Sequence, residues 1–230
     1  MAELLDPTLG CVFNTIFGQE NSKPLLLSFL NALLKGKPQI TDMTLETDVK
    51  KSLEVCEESL FEMRATSNHK IDIGIDIPYK NTGDIPERAI HSLSTIIDRH
   101  MRIYGVYGKY QAVGIWILRE SVTQREGVIQ EACLMYHQKD ADPLLMTDDI
   151  RIILIEMPKF DPKKADPEKP LTAWLSFLKD PAHMDKQFLK IDEIGAAMDT
   201  LQSISADDAF RAIADAQQKA IDDYNASLEA

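Results

Sequence analysis

The order of apolar and polar positions predicts two helices at the start of the chain. Residues 6–8 form a turn and cap signal, and apolar residues then recur at helical spacing until Gly18. A second apolar run, LLLSFLNALL, follows Lys23-Pro24 and ends in the segment 35–38, which is rich in Lys, Gly and Pro. We therefore expect two packed helices before the first strand.

After Ile40 the apolar period changes to two, which is typical of strands. The stretch SLFEMRAT alternates between its two faces, and residues 67–69 then give a turn signal. The stretch KIDIGIDIP alternates again, with four isoleucines on one face and Asp72, Gly74 and Asp76 on the other. This pattern predicts a β-hairpin.

A longer helix and three further strands follow the hairpin. The segment from Pro86 to Ile103 has helical spacing, and its expected buried side is formed by Ala89, Ile90, Leu93, Ile96 and Ile97. The runs QAVGIWIL, EACLMYHQ and IRIILIEMP read as strands, residues 161–170 as a loop, and LTAWLSFLKD as a short helix. The order ααβββαβββα with a helical tail predicts a mixed α/β fold rather than a repeated βαβ series.

The net charge of −12, from 25 basic and 37 acidic residues, argues against DNA binding by bulk electrostatics alone. The excess of acidic residues is unevenly distributed along the chain. Residues 185–230 contain 10 acidic and 4 basic residues and so account for −6 of the net charge. We therefore predict a domain over 1–184 and an acidic helical extension over 185–230. In the extension, Ser205 is expected to cap a helix whose first turn contains Asp207 and Asp208.

Cysteine use and hydropathy suggest a cytoplasmic protein. Cys11, Cys56 and Cys133 lie far apart and form no metal or disulfide motif, which fits a reducing compartment. The chain shows no signal-peptide pattern and no apolar stretch of the length needed to span a membrane. We expect no membrane partner.

The candidate chemistry lies in the hairpin, where acidic residues interrupt apolar strands. Glu62 on the first strand and Asp72 and Asp76 on the second could converge on a hard cation such as Mg²⁺, which prefers carboxylate oxygens. The alternative from the pattern alone is that these acids line the solvent face of a half-exposed sheet. Both interpretations stay open at this point.

Several blocks of the sequence resemble one family. The runs DPTLGCVFNTIFGQENSKPLLLSFLNALL, FEMRAT with IDIGIDI, IPERAIHSLSTII, YHQKDADPLLMTDDIRIILIEMPKF and AWLSFLKDPAHMD, in this order, look like the PD-(D/E)XK nuclease family transposases, also called recombination-promoting nucleases or Rpn proteins. The resemblance covers about residues 5 to 185. It implies a restriction-endonuclease-like core, with a mixed sheet flanked by helices, that cuts DNA with Mg²⁺.

The family's residues transfer only in part. Its Asp on the first hairpin strand falls on Glu62 and the basic residue two places on falls on Arg64, while its Glu-x-Gln falls on Gly74 and Asp76. The Asp and Lys of the family's N-terminal block likewise fall on Gly10 and Asn14. The resemblance therefore implies a degenerate active site. If activity survives, Glu62 and Asp76, with Asp72, would bind Mg²⁺, and Arg64 would stand near the water-orienting position.

Two further residues have competing interpretations. Arg88 could contact a DNA phosphate or pair with a surface acid at the start of its helix. Glu156, at the end of an apolar strand, could join a structural polar network or take part in catalysis. Trp116 and Trp174 are expected to be core aromatics.

The sequence supports three hypotheses for function. The first is an Rpn-like protein, ancestrally a Mg²⁺-dependent DNA endonuclease in recombination, transposition or defence, with a reduced or lost site. The second is an inactive nuclease-fold protein that binds itself or another protein through its acidic C-terminal helices. In the third, the acidic tail masks a basic DNA groove.

Overall fold

A six-stranded mixed sheet with helices on both faces organises the molecule. The computed structural model describes residues 3–35, 39–47, 61–67, 71–78, 83–105 and 110–229. The strands of the sheet are β1 (Met43–Thr47), β2 (Phe61–Ser67), β3 (Ile71–Ile77), β4 (Gln111–Leu118), β5 (Ile129–Tyr136) and β6 (Leu144–Glu156). The α-helices are α1 (Gly10–Phe17), α2 (Lys23–Leu33), α3 (Ile85–Tyr104), α4 (Pro170–Lys179), α5 (Asp192–Ser205) and α6 (Asp208–Glu229).

The strands lie in the order β1-β2-β3-β4-β6-β5. The pairs β1-β2, β2-β3 and β5-β6 are antiparallel, whereas β3-β4 and β4-β6 are parallel. The predicted mixed α/β architecture is confirmed, and so is the hairpin formed by β2 and β3.

The main core lies between the sheet and the helices α1, α2, α4 and α5. All seven residues of β3 are buried, and its isoleucines belong to this core. The ring of Trp174 packs 5.4 Å from that of Phe17, and the Trp174 Nε1 donates to Ser28 Oγ at 3.2 Å. The prediction that Trp116 and Trp174 are core aromatics is confirmed, because their exposures are 0% and 1%.

Helix α3 covers the opposite face of the sheet. It ends at Gly105, whose φ of +68° is the left-handed conformation that glycine adopts most readily. The helix lies where the sequence predicted it, from about Pro86 to Ile103. The prediction that Ile90 is buried was wrong, because its side chain is 59% exposed. The buried stripe passes instead through Ala89 and Ser92, so Ile90 lies beside it and faces out.

The C-terminal helices pack on the body of the protein. Ile194 and Leu201 of α5 are fully buried in the main core. The prediction that Ser205 caps the last helix was wrong: Ser205 ends α5, and its Oγ accepts a hydrogen bond from the backbone N–H of Leu5 at 3.0 Å. Asp207 takes the capping role, since its carboxylate accepts from the N–H of Phe210. The boundary at residue 184 stays a prediction.

None of the helices in the described ranges combines the length and apolar character that a membrane crossing requires.

Candidate functional site

The candidate residues lie where α3 crosses β3, in three successive levels. Alternate residues of β3 that share one face are roughly 6.6 Å apart, and residues one turn apart on a helix rise by roughly 6 Å. Because these two spacings are nearly equal, residues on one side of α3 contact residues on one face of β3 at three successive positions, which we call levels. The levels pair Asp76 with Ser92, Gly74 with Ile96, and Asp72 with His100.

At the first level, Asp76 is almost completely buried. Its exposure is 1%, and its Oδ2 accepts a hydrogen bond from Ser92 Oγ at 2.8 Å. The strand register places Glu62 opposite Asp76 on the β2 side and Trp116 opposite it on the β4 side. The Glu62 side chain lies outside the described part of the structure, so the Glu62 and Asp76 pair stays a prediction.

At the middle level, a helix side chain fills the space above Gly74. A Cβ added at Gly74 would lie 2.7 Å from Cδ1 of Ile96 and 4.0 Å from Ser92 Oγ. Ile96 is itself only 4% exposed. The strand position that the resemblance assigns to a catalytic Glu is therefore covered by an apolar side chain.

At the third level, Asp72 and His100 form a buried pair. His100 Nδ1 donates to Asp72 Oδ2 at 2.7 Å, and the imidazole ring stacks on Tyr110 with 3.7 Å between ring centres. The other oxygen of Asp72 has no hydrogen-bond partner among the described residues. A cavity of about 20 Å³, large enough for one water molecule, lies beside this pair and is also lined by Arg99 and Tyr104.

Asp72 and Asp76 are not brought together. They stand four residues apart on β3, which corresponds to roughly 13 Å along an extended strand, and Gly74 lies between them. A single cation needs its oxygen ligands within about 2.0–2.6 Å, so it cannot bind both carboxylates. The described ranges contain no group of three or more His, Cys, Asp or Glu side chains arranged to hold a metal ion. Asp72 and Asp76 therefore cannot both belong to one metal site, whereas a site built on Glu62 and Asp76 stays a prediction.

The two predicted arginines lie on elements next to β3. Arg64 is opposite Gly74 in the register of β2 and β3, and its side chain lies outside the described part. Arg88, in the first turn of α3, places its guanidinium 5.7 Å from the centre of the Trp116 ring and 4.0 Å from the Asp84 carboxylate. These contacts match the surface-acid interpretation, and a DNA contact by Arg88 stays a prediction.

Glu156, the third buried acid among the described side chains of the sheet, belongs to a different environment. Its Oε1 accepts from the backbone N–H groups of Val122 and Thr123 at 2.6 and 2.8 Å. Its Oε2 accepts from Thr123 Oγ1 at 2.8 Å and from Lys159 Nζ at 2.6 Å. Lys159 in turn donates to the carbonyl oxygens of Thr123 and Arg125, so the network holds the loop after β4 to the end of β6.

Burial by itself would raise the pKa of Glu156, but the hydrogen bonds from Lys159, Thr123 and Val122 outweigh it. They hold the pKa below its usual value of 4.5. Glu156 is therefore an ionised, fully bonded carboxylate at neutral pH. This arrangement matches the structural-network interpretation of Glu156.

Comparison with known families identifies a family whose fold is consistent with the mixed sheet and its flanking helices. The family model described as "PD-(D/E)XK nuclease family transposase" matches residues 7–230, nearly the whole chain. The chain belongs to this family. No curated protein and no solved structure matches it. PD-(D/E)XK nucleases generally use divalent metal ions and act on DNA. The family match includes residues 185–230, which the charge pattern had set apart as an extension.

Reasoning from the sequence missed the α3 partners of the β3 acids. Ser92, Ile96 and His100 recur at intervals of four, and Asp72, Gly74 and Asp76 recur at intervals of two. Aligning the two repeats would have paired these helix residues with these strand residues, but only if the direction of the helix across the strand had been known. The sequence does not give that direction, so no single-element pattern identified the buried pair of Asp72 and His100.

Proposed function

We propose that this chain is an Rpn-like member of its family, descended from a Mg²⁺-dependent DNA endonuclease, in which cleavage is lost or strongly reduced. One observation supports the proposal above the others. The position of the family's catalytic Glu is Gly74, and Ile96 fills the space into which a side chain would project. Without that carboxylate, Asp76 has no neighbour on its own strand that could share a metal ion with it.

A cleavage assay tests this proposal. Supercoiled plasmid is incubated with the full chain and Mg²⁺ or Mn²⁺, and nicked and linear products are measured. We expect no cleavage above that of a matched preparation of Glu62→Gln. Cleavage by the wild type that disappears in both Glu62→Gln and Asp76→Asn, but persists in the exposed control Glu87→Gln, would contradict the proposal. It would favour a rearranged site built on Glu62 and Asp76.

Calorimetric titration with Mg²⁺ gives a second readout that does not depend on DNA. A site with several charged oxygen ligands should give saturable binding that Asp76→Asn removes. We expect no saturable binding by the wild type. Saturable binding lost in Asp76→Asn would show that the acids of the hairpin still hold a cation.

The acidic C-terminal helices support a second candidate function, protein binding or regulation. In α6, Ala214 and Ile221 face the core, whereas Asp215, Asp222 and Asp223 are exposed. The packing of the body thus leaves an acidic surface facing outward. This surface could bind a partner, or it could lower the affinity of the body for DNA by repelling phosphate.

Charge neutralisation is a better test of this surface than truncation. Removing residues 185–230 would take the buried Ile194 and Leu201 out of the main core and expose the rest of it. The triple variant Asp215→Asn, Asp222→Asn and Asp223→Asn leaves the packing intact. If the surface screens DNA, this variant should bind DNA more tightly and with a steeper salt dependence. Unchanged DNA affinity together with unchanged light scattering would contradict a role for these acids.

A further inference from the structure

The β5-β6 hairpin extends beyond the body of the sheet. Strand β6 begins at Leu144, but its pairing with β4 begins only at Ile150. The part of β6 before Ile150 pairs with β5 alone, and Leu144 lies opposite Tyr136 at its far end. We call residues 134–149 the arm.

The arm holds a cluster of exposed apolar side chains. By contrast, β3 and β4 are covered by helices on both faces. An isolated two-stranded ribbon is only marginally stable in water, and a clustered apolar surface marks an interaction site. Six of the eleven large hydrophobic residues that are exposed in the described ranges belong to the arm: Leu134, Met135, Tyr136, Leu144, Leu145 and Met146.

Three of these side chains share the face of the sheet that α3 covers. Ala132 of β5 lies opposite Ile152, which packs against an apolar cluster that includes residues of α3. Because side chains alternate along a strand, Leu134 and Tyr136 follow Ala132 on this face. Leu144 lies on it as the partner of Tyr136. The exposures of these three side chains, 46%, 57% and 67%, show an apolar strip that is open to solvent.

Acidic residues lie at both ends of this strip. Asp140 and Asp142 are in the turn at the tip of the arm, and Asp148 and Asp149 are at its base. All four are exposed. Lys139 is the one basic residue of the arm, so four acidic residues and one basic residue give it a net charge of −3. The arm therefore presents apolar surface between two pairs of negative charges.

This charge decides which kind of partner the arm fits. A negative surface repels nucleic acid and anionic lipid, and a second copy of the chain would bring an arm of the same sign. A cationic protein segment is instead attracted by the acidic pairs while it covers the apolar strip. Charge complementarity thus favours a basic protein partner.

The geometry of the strip favours a helix over a strand. A strand added to the open edge of β5 would leave the apolar face uncovered, whereas a helix laid across the face covers it, as α3 does on β3. Asp142 and Asp148 are six residues apart, which corresponds to roughly 20 Å of extended chain. A helix of roughly 13 residues has this length.

We propose that the arm binds an amphipathic helix of a partner protein, with apolar residues along one side and Lys or Arg at both ends. The apolar side packs on Leu134, Tyr136 and Leu144, and the basic ends lie beside the acidic pairs at the tip and the base. Three side chains make a small contact, so the complex belongs to the transient class that buries less than about 1,200 Å². The inference does not depend on whether the chain cleaves DNA.

Fluorescence anisotropy with two designed peptides tests the preference for positive charge. Both are labelled helices of about 14 residues with leucine at helical spacing, and the polar positions are lysine in one and glutamate in the other. The full chain should bind the lysine peptide saturably, and the glutamate peptide roughly tenfold more weakly or less. Added salt should weaken binding of the lysine peptide. No saturable binding of the lysine peptide, or equal binding of both peptides, would overturn the proposal.

Substitutions test whether the peptide binds at the apolar strip. The double variant Tyr136→Ser and Leu144→Ser should raise the dissociation constant for the lysine peptide roughly tenfold. The matched control Ile90→Ser and Ile103→Ser removes two equally exposed apolar side chains from α3 and should change it less than about twofold. Far-UV circular dichroism checks that each variant is folded. Equal weakening by the two double variants would refute binding at the arm.

A charge variant separates the arm from the acidic surface of α6. Asp140→Asn, Asp142→Asn and Asp149→Asn together remove three of the four acids and leave the apolar strip unchanged, so binding should weaken and depend less on salt. The triple Asn variant of α6 described above should bind the lysine peptide like the wild type. Binding that is lost in the α6 variant and kept in the arm variant would assign the peptide to α6 and overturn the proposal.

Discussion

Glu156 and Asp72 are both buried carboxylates on strands of the same sheet, yet their environments differ. Both oxygens of Glu156 accept hydrogen bonds, two from backbone N–H groups and two from the side chains of Thr123 and Lys159. Asp72 has one bonded oxygen, which faces His100, and one oxygen with no described partner. Glu156, with both oxygens fully hydrogen-bonded, is part of the structural scaffold. Asp72, with one oxygen that has no described hydrogen-bond partner, adjoins a cavity.

This difference shows why acids in apolar strands are ambiguous in a sequence. Asp72, Asp76 and Glu156 follow the same pattern of an acid within an isoleucine-rich run. Whether such an acid can bind a ligand depends on the groups that neighbouring elements bring to it. The two carboxylates can therefore be separated by experiment.

The largest effect is expected from removing the Glu156 carboxylate. Glu156→Ala should lower the free energy of unfolding by about 3–5 kcal/mol, because it leaves the Lys159 ammonium and two backbone N–H groups without their acceptor. Urea denaturation measures this change. Glu168→Ala, at an exposed position, should change stability by less than about 0.5 kcal/mol. A loss below about 1 kcal/mol for Glu156→Ala would contradict the structural role of the network.

Introducing a carboxylate under α3 should give the next largest effect. Gly74→Glu should cost about 3 kcal/mol, because it adds five side-chain heavy atoms and a charge to space filled by Ile96. In an Ile96→Ala background the same substitution should cost clearly less, and thermal denaturation of the four proteins measures the coupling. Gly74→Ala should be mild, since the Ile96 Cδ1 methyl can rotate away. Equal costs of Gly74→Glu in both backgrounds would refute the clash.

The contribution of Glu156 should depend on pH. Because its folded pKa lies below the usual 4.5, its ionised form stabilises the protein above the unfolded pKa, and this stabilisation is lost as pH falls through the folded value. The stability difference between wild type and Glu156→Gln should be about 2 kcal/mol at pH 7 and should shrink steadily below pH 4.5. Urea titrations at several pH values measure it. A difference that grows on acidification would reverse the assigned sign.

The smallest effect is expected at Asp72. Asp72→Asn keeps an acceptor for His100 Nδ1 and removes a charge that is only half satisfied, so stability should change by less than about 1 kcal/mol. Chemical denaturation of Asp72→Asn, His100→Gln and the double variant measures the coupling. A loss as large as that of Glu156→Ala would show that Asp72 is as firmly integrated as Glu156.

Local sequence patterns were enough to predict the main helices and strands, but not which elements pack against each of them. The isoleucine alternation of β3 and the buried run of β4 located the central strands, because a period of two is a property of one strand. The strands β5 and β6 were predicted at EACLMYHQ and IRIILIEMP, but the extension of β6 back to Leu144 was missed. Their apolar residues look the same in sequence whether or not a helix packs on them. The pairing of His100 with Asp72 depends on a crossing between distant segments, which no single period encodes.

The contact between Gly74 and Ile96 has a consequence for how this protein can change over generations. A lone change of Gly74 to Glu would meet Ile96 and weaken the fold, whatever that carboxylate could contribute to a site. A smaller side chain at position 96 would have to appear first, although alone it leaves a void and brings no benefit. Ile96 therefore makes a carboxylate at position 74 difficult for selection to introduce, because each single-step intermediate is less stable than the present protein.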